Sequence, residues 1–103
     1  MSLLALGVWT SMPACASTGY RQDRAERRVE RRAYDNGFRD GVRAGRDDAR
    51  HRERFDPVGA RRYRQGDHDY DRRYGSRDDY RREYRAGFEQ GYSQGYRQYR
   101  GRD

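Results

Sequence analysis

Few residues in this chain could do chemistry. The only histidines are His51 and His68, and the second sits in the run Asp67-His68-Asp69-x-Asp71. Such a run offers oxygen and nitrogen donors to a divalent cation. It lacks the glycine turn and closing Glu of a calcium loop, and no paired histidine or cysteine accompanies it for zinc. A solvated acidic loop neutralised by Arg72 and Arg73 is the simpler expectation, so no metal and no cofactor is assigned. Nucleophiles are equally scarce. Ser76 reads as a helix cap, Ser93 falls within a helical pattern, and Cys15 lies close to the N-terminus. Nearly every carboxylate stands beside an arginine, where it stays ionised and serves solubility rather than proton transfer. These residues predict a protein that is not an enzyme.

The elements that must position them are built from unusual material. The 103 residues hold 24 basic and 17 acidic side chains, every basic one is Arg, and the first 20 residues carry no charge. After Tyr20 there is no Leu, Ile, Met or Trp; the apolar stock is three Val, three Phe, a set of Tyr and scattered Ala. Low aliphatic content with high charge is a signature of disorder. Periodicity argues the other way. Residues 25, 29, 33, 37, 41, 45 and 49 read Ala, Val, Ala, Gly, Gly, Gly, Ala, beside the row Tyr34, Phe38, Val42. Residues 80, 84, 88, 92 and 96 read Tyr, Tyr, Phe, Tyr, Tyr, beside Gly87, Gly91 and Gly95. A spacing of four puts side chains on successive turns of one helical face.

Two helices follow, at about 22–53 and 77–99, within a mainly α fold divided as 1–16 signal, 17–54 first helix, 55–76 irregular polar connector, 77–99 second helix and 100–103 tail. Phe55-Asp56-Pro57-Val58-Gly59 breaks the first helix. Ser76 caps the second, with Asp78 and Asp79 in its first turn. Acid-to-base pairs four apart are expected at Asp23–Arg27, Asp35–Arg39, Asp48–Arg52 and Asp78–Arg82, each adding about 0.2–0.5 kcal/mol.

An internal repeat underlies the pattern. Tyr34-x-x-Gly37-Phe38-x-x-Gly41-x-x-x-Gly45 recurs fifty residues later as Tyr84-x-x-Gly87-Phe88-x-x-Gly91-x-x-x-Gly95. Glycine inside a helix costs about 1 kcal/mol relative to Ala, so neither helix is stable alone. The compensation expected is an antiparallel hairpin with a glycine zipper, in which the aromatic row of each helix settles into the notches of the other. Tyr34, Phe38, Tyr80, Tyr84, Phe88, Tyr92 and Tyr96, with Gly37, Gly41, Gly45, Gly87, Gly91 and Gly95, are the predicted packing residues. Arg39, Asp40, Arg43 and Arg46 within the repeat exclude a membrane-spanning zipper. Over residues 34–99 these repeats, with the intervening Tyr- and Arg-rich stretch, resemble a group of uncharacterised exported bacterial proteins rich in Tyr, Arg and Gly. The resemblance implies a class and no mechanism.

The N-terminus predicts export. Met-Ser-Leu-Leu-Ala-Leu-Gly-Val-Trp followed by Thr10-Ser11-Met12-Pro13-Ala14-Cys15-Ala16 is a short apolar run before small residues. A membrane span needs about 20 apolar residues, so a sorting signal fits better. The basic segment that usually opens such a signal is missing, and the true start is expected upstream. Two cleavage sites compete: before Cys15, making it a lipid-bearing first residue, or after Ala16. Periplasm or outer membrane is the expected destination. Just beyond stands a basic cluster, Arg21, Arg24, Arg27, Arg28, Arg31 and Arg32, which would add surface attraction to a lipid anchor. The partners expected are an anionic envelope polymer, lipid headgroups or an envelope protein, with self-association as a further way to bury the zipper. A second class of reading is a secreted, largely disordered Arg/Tyr-rich binder of nucleic acid or another polyanion. Nucleic acid is disfavoured because the net charge of +7 is spread evenly, without a strong basic stripe in any segment.

Overall fold

The computed structural model describes the backbone from Pro13 to Arg100 and side chains from Asp23 to Arg100. Residues 1–12 of the expected signal, the side chains of Cys15 and Arg21, and residues 101–103 lie outside the described residues. The order is α1 (Pro13–Arg50), a short α2 (Arg61–Gln65), a 3-10 turn (Arg72–Tyr74) and α3 (Arg77–Arg100). Among the described residues there is no strand, and α3 packs against the C-terminal part of α1. The mainly helical expectation holds, with two long helices packed on one another.

The boundaries have local causes. α1 begins at Pro13, earlier than the expected 17–22, on a residue suited to the first helical position because it has no N–H to satisfy there. It ends at Arg50, short of 53. Arg52 adopts a left-handed conformation (φ 60°). Its N–H donates to the Ala49 carbonyl (3.1 Å) and the Glu53 N–H to the Asp48 carbonyl (2.7 Å). That pair of bonds closes the helix as a Schellman motif, with Arg where Gly is usual, so Pro57 is not what stops it. α3 starts at Arg77 as expected, with the Asp79 N–H donating to Ser76 Oγ at 3.1 Å. Gly66 closes α2 with φ 68°, its N–H donating to the Arg62 carbonyl.

The two long helices run parallel, and the expected antiparallel direction is corrected. A Cβ placed on Gly37 would run into the backbone of Tyr84 and Phe88, one on Gly41 into Phe88 and Tyr92, and one on Gly45 into Tyr92 and Tyr96. Reciprocally, Gly87 meets the backbone of Tyr34 and Phe38, Gly91 that of Phe38, and Gly95 that of Val42. Partner numbers rise together on both helices. Residue n of α1 therefore stands level with residue n + 50 of α3, and the duplicated sequence forms an intramolecular pseudo-twofold about an axis along the pair. The connector, residues 51–76, must travel back along the helices to begin α3 at the level of Glu26–Glu30. It crosses as a strap rather than a tight turn.

A second correction concerns the notches. What fills each one is the facing main-chain carbonyl, not an aromatic ring. The glycine hydrogen that replaces Cβ points at that oxygen, a recurring Cα–H···O contact of about 0.5–1 kcal/mol each. Rings cannot share a gap that narrow, so they leave the seam sideways. Tyr80, Tyr84, Phe88 and Tyr92 are fully buried on one side of it and Tyr96 nearly so. Tyr34 and Phe38, on the other side, are only half-buried. The charged pairs also differ from expectation: Arg39 donates to Asn36 (2.6 Å), Arg82 to Asp79 (2.8 Å), and Asp48 accepts from Tyr92.

Two substitutions test this geometry in urea denaturation. Gly41→Ala improves helix propensity yet inserts a methyl into the Phe88 carbonyl, and a net loss of about 1–3 kcal/mol is expected. Arg52→Gly relieves the left-handed backbone and is expected to gain about 1 kcal/mol, since the relief exceeds the entropy glycine adds to the unfolded chain.

Candidate functional site

The buried face of α3 is a ladder of rings. Successive centroids from Tyr80 to Tyr96 lie 6.1, 6.2, 6.3 and 6.0 Å apart, with planes within 30° of one another. α1 meets this ladder with the row Asn36, Asp40, Ala44, Asp48. Asn36 Nδ2 donates to the Tyr80 hydroxyl (2.9 Å), and the hydroxyls of Tyr84 and Tyr92 donate to Asp40 and Asp48 at 2.5 Å. Ala44 stands at the level of Phe88, the one ring without a hydroxyl. Polar faces polar and apolar faces apolar along one register.

The strap closes the ladder. The Tyr80 hydroxyl donates to the His68 carbonyl (2.6 Å) and that of Tyr96 to the Glu53 carbonyl (2.8 Å). Phe55 sets its ring edge-on to Tyr92 and Tyr96, at 5.1 and 5.3 Å. Tyr63 does the same to Phe88, and Tyr70 to Tyr80. Arg81 donates to the Gln65 carbonyl (2.8 Å), and Arg85 to those of Tyr63 and Arg64 (2.9 and 2.6 Å). No buried side-chain nitrogen or oxygen among the described residues lacks a hydrogen-bond partner.

The sequence-singled polar residues are dispersed by this arrangement. His68 Nδ1 lies 2.6 Å from Asp40 Oδ2, the same oxygen that accepts from Tyr84, so this histidine latches the strap to α1. Asp71 instead caps the 3-10 turn and pairs with Arg73 at 3.1 Å, which holds its carboxyl below the usual range. His51 contacts the Asp47 carbonyl at the end of α1 (2.7 Å). No group of three or more His, Cys, Asp or Glu among the described residues is placed to hold a metal ion.

The outer surface is arginine. Arg24, Arg27, Arg28, Arg31 and Arg32 of the predicted cluster are exposed on α1. Arg32 also donates to the Tyr74 hydroxyl (3.1 Å) and lies 5.5 Å above that ring. The cluster belongs to a longer feature that the sequence reading missed. Arg28, Arg32, Arg39, Arg43, Arg46 and Arg50 follow one another by 4, 7, 4, 3 and 4 residues and are all exposed. Those intervals place the stripe on one helical face; at its start Arg32 reaches the strap at Tyr74, and at its end Arg43, Arg46 and Arg50 lie beside Gln98 and Tyr99 of α3. Near its end a cleft of about 630 Å³ lies between the two helices, lined by Arg43, Arg46, Asp47, Arg50, Gln98 and Tyr99. Also missed were Asn36, Asp40 and Asp48, although their spacings of four and eight were visible, and the strap rings Phe55, Tyr63, Tyr70 and Tyr74, whose spacing carries no regular period.

Burial, followed by the hydrogen bond to Asp48, pushes the Tyr92 hydroxyl up to about 12, and burial with Asp40 raises Tyr84 further still. Burial likewise raises Tyr80 and Tyr63. In the unfolded chain these phenols ionise near pH 10, so above that pH the unfolded state binds fewer protons than the folded one. Stability is therefore expected to fall as pH rises from about 10 toward 12. Absorbance of tyrosinate should appear late and together with loss of helical circular dichroism; early ionisation of the whole tyrosine set with helicity intact contradicts the buried ladder. Comparison of this chain with protein-family models, with characterised proteins and with solved structures found no match.

Proposed function

We propose that this chain is a non-catalytic exported envelope protein that attaches to anionic surfaces through the arginine stripe of α1. The observation that carries the reading is the placement of the arginines. Arg28, Arg32, Arg39, Arg43, Arg46 and Arg50 share one exposed face of a long helix, with Arg32 also meeting the strap at Tyr74. A rigid row of cations suits a repeating anion, such as phosphate headgroups or an acidic envelope polymer, because each step along the helix adds a contact of about 1 kcal/mol near an anionic surface. Guanidinium forks also pair with phosphate and carboxylate in two-pronged geometry, which accounts for Arg without Lys.

The remaining features agree. α3 begins level with residues 25–30 of α1, so the N-terminal part of α1 projects beyond the paired region, where Arg27 is exposed. A lipid on Cys15 would be a single weak anchor, and a basic segment next to it is the usual second signal. The side chains in the ladder are engaged in packing and hydrogen bonds, which fits a scaffold whose work is done on its surface. No helix of the described residues is long and apolar enough to cross a membrane.

Co-sedimentation of the full chain with vesicles tests the reading. Binding is expected to vesicles rich in phosphatidylglycerol and to weaken steeply with added salt. Arg28→Gln combined with Arg39→Gln should cut the affinity by about tenfold or more at low salt. Equal binding to neutral and anionic vesicles, or no effect of the double variant, would defeat it.

A further inference from the structure

The strap covers one flank of the α1–α3 seam and leaves the other half-exposed. On that open flank α1 presents a row spaced by four. It reads Glu26, Glu30, Tyr34, Phe38, Val42, Arg46 and Arg50, acidic at one end, apolar in the middle and basic at the other. A spacing of four keeps such a row on one side of a helix. The three central residues are partly buried beside the seam, where Gly87, Gly91 and Gly95 meet their backbone, and the four charged ones are exposed. Tyr34 and Phe38 stack with centroids 6.4 Å apart. Arg46 and Arg50 border a cleft with Gln98 of α3, and Glu26 and Glu30 border one with Ser76 and Arg82.

The row is complementary to itself when reversed. Turned end for end about Phe38, it sets Glu26 against Arg50, Glu30 against Arg46 and Tyr34 against Val42. Every acid meets a base, and every apolar residue meets another. The helix macrodipole, which favours acids early and bases late, does not account for the pattern. The neighbouring row at 24, 28, 32, 36, 40, 44 and 48 reads Arg, Arg, Arg, Asn, Asp, Ala, Asp, with the opposite polarity. The row at 23, 27, 31, 35, 39, 43 and 47 reads Asp, Arg, Arg, Asp, Arg, Arg, Asp and has none.

We propose that two copies of this chain pair antiparallel through this flank, about a twofold axis that passes Phe38. Charge complementarity selects that occupant. Glu26, Glu30 and Arg46 take part in none of the ion pairs among the described residues. The arginines sharing a cleft with the two acids, Arg73 and Arg82, are engaged by Asp71 (3.1 Å) and Asp79 (2.8 Å). Arg50 is partly engaged by Asp47 at 3.5 Å, so contacts of Glu30 with Arg46, made twice about the axis, carry most of the attraction. The wall of α3 beside the row, Gln90, Gln94 and Gln98, is exposed and uncharged and opposes neither sign. A net charge of +7 on each copy resists approach, but it is screened beyond about 8 Å at physiological ionic strength, whereas the paired charges meet. From 26 to 50 the row spans about 36 Å. That is a small interface, and a Kd of about 10–100 μM is expected.

The pairing does not rest on attachment to anionic surfaces, and Arg28 and Arg39, which test that attachment, lie outside the row. Sedimentation velocity of the full chain, over concentrations that bracket the expected Kd, reads it directly. A shift from monomer to dimer with concentration is expected. Glu30→Arg sets like charges against Arg46, and Arg46→Glu sets them against Glu30. Each should weaken the dimer about tenfold or more with helical circular dichroism intact. An equimolar mixture of these two variants should form a mixed dimer, and the chain carrying both changes should pair with itself as the unaltered chain does. Only the antiparallel register gives both rescues. Phe38→Gln, at the axis, should weaken pairing about tenfold. A chain that stays monomeric throughout, or a dimer that tolerates Glu30→Arg, overturns the proposal. So does a double variant that remains monomeric.

Discussion

Everything in this fold depends on two backbones coming close enough for carbonyl oxygens to occupy the space of missing side chains. Six glycines, three on each long helix, hold positions where a single methyl would collide with the opposite main chain. The contact needs no aliphatic side chain, which is why a chain without Leu or Ile after residue 20 still builds a packed pair. It also imposes a cost. Glycine favours the unfolded chain by about 1 kcal/mol at each such site, and the seam itself buries little apolar surface. The rings displaced to its flanks must supply the rest.

Tyrosine is suited to that task, and the suitability explains the polar residues on α1. A stack of rings removes a large apolar area from water, but each buried hydroxyl then requires a partner. Asn36, Asp40 and Asp48 provide three at the level where hydroxyls arrive, and the strap carbonyls provide others. The strap is therefore a structural necessity and more than a connection. Without it Tyr96 would lose its acceptor and the outer edges of Phe88 and Tyr92 would meet water. Its arginine anchors reverse the usual division of labour, since Arg81 and Arg85 bind main chain from a helix face that would otherwise be only solvated.

Much of this was legible in the residues, and what was not has physical causes. The spacing of four in Ala33, Gly37, Gly41, Gly45 and in Tyr80 to Tyr96 revealed both helices and the faces they bury. Their direction was not evident, because a self-complementary glycine face can pair about an axis along the helices or across them. The repeat alone does not choose between these. The register of polar against aromatic residues does: Asn36, Asp40, Ala44 and Asp48 match Tyr80, Tyr84, Phe88 and Tyr92 only when both numbers ascend. The strap's rings, at positions 55, 63, 70 and 74, follow the path of a crossing segment and have no period to detect. Arg52 at a left-handed helix end carries no compositional warning either, since glycine is the residue that advertises such a turn.

The duplicated unit has kept its seam and let its flanks diverge. Where the second copy reads Tyr84, Phe88, Tyr92, Tyr96, the first reads Tyr34, Phe38, Val42, Arg46; where the first reads Asp40 and Asp48, the second reads Gln90 and Gln98. Residues that touch the opposite backbone are confined to glycine by sterics, because nothing larger fits. Residues beside the seam answer to whatever covers them, and among the described residues the strap covers only one of the two sides. On one side selection of hydroxyls, carboxylates and strap carbonyls produces a closed polar ladder. On the other the rings dwindle toward a cationic end that merges with the arginine stripe. An approximately symmetric pair of helices has thereby become a molecule whose two flanks differ, one closed by the strap and the other half-exposed.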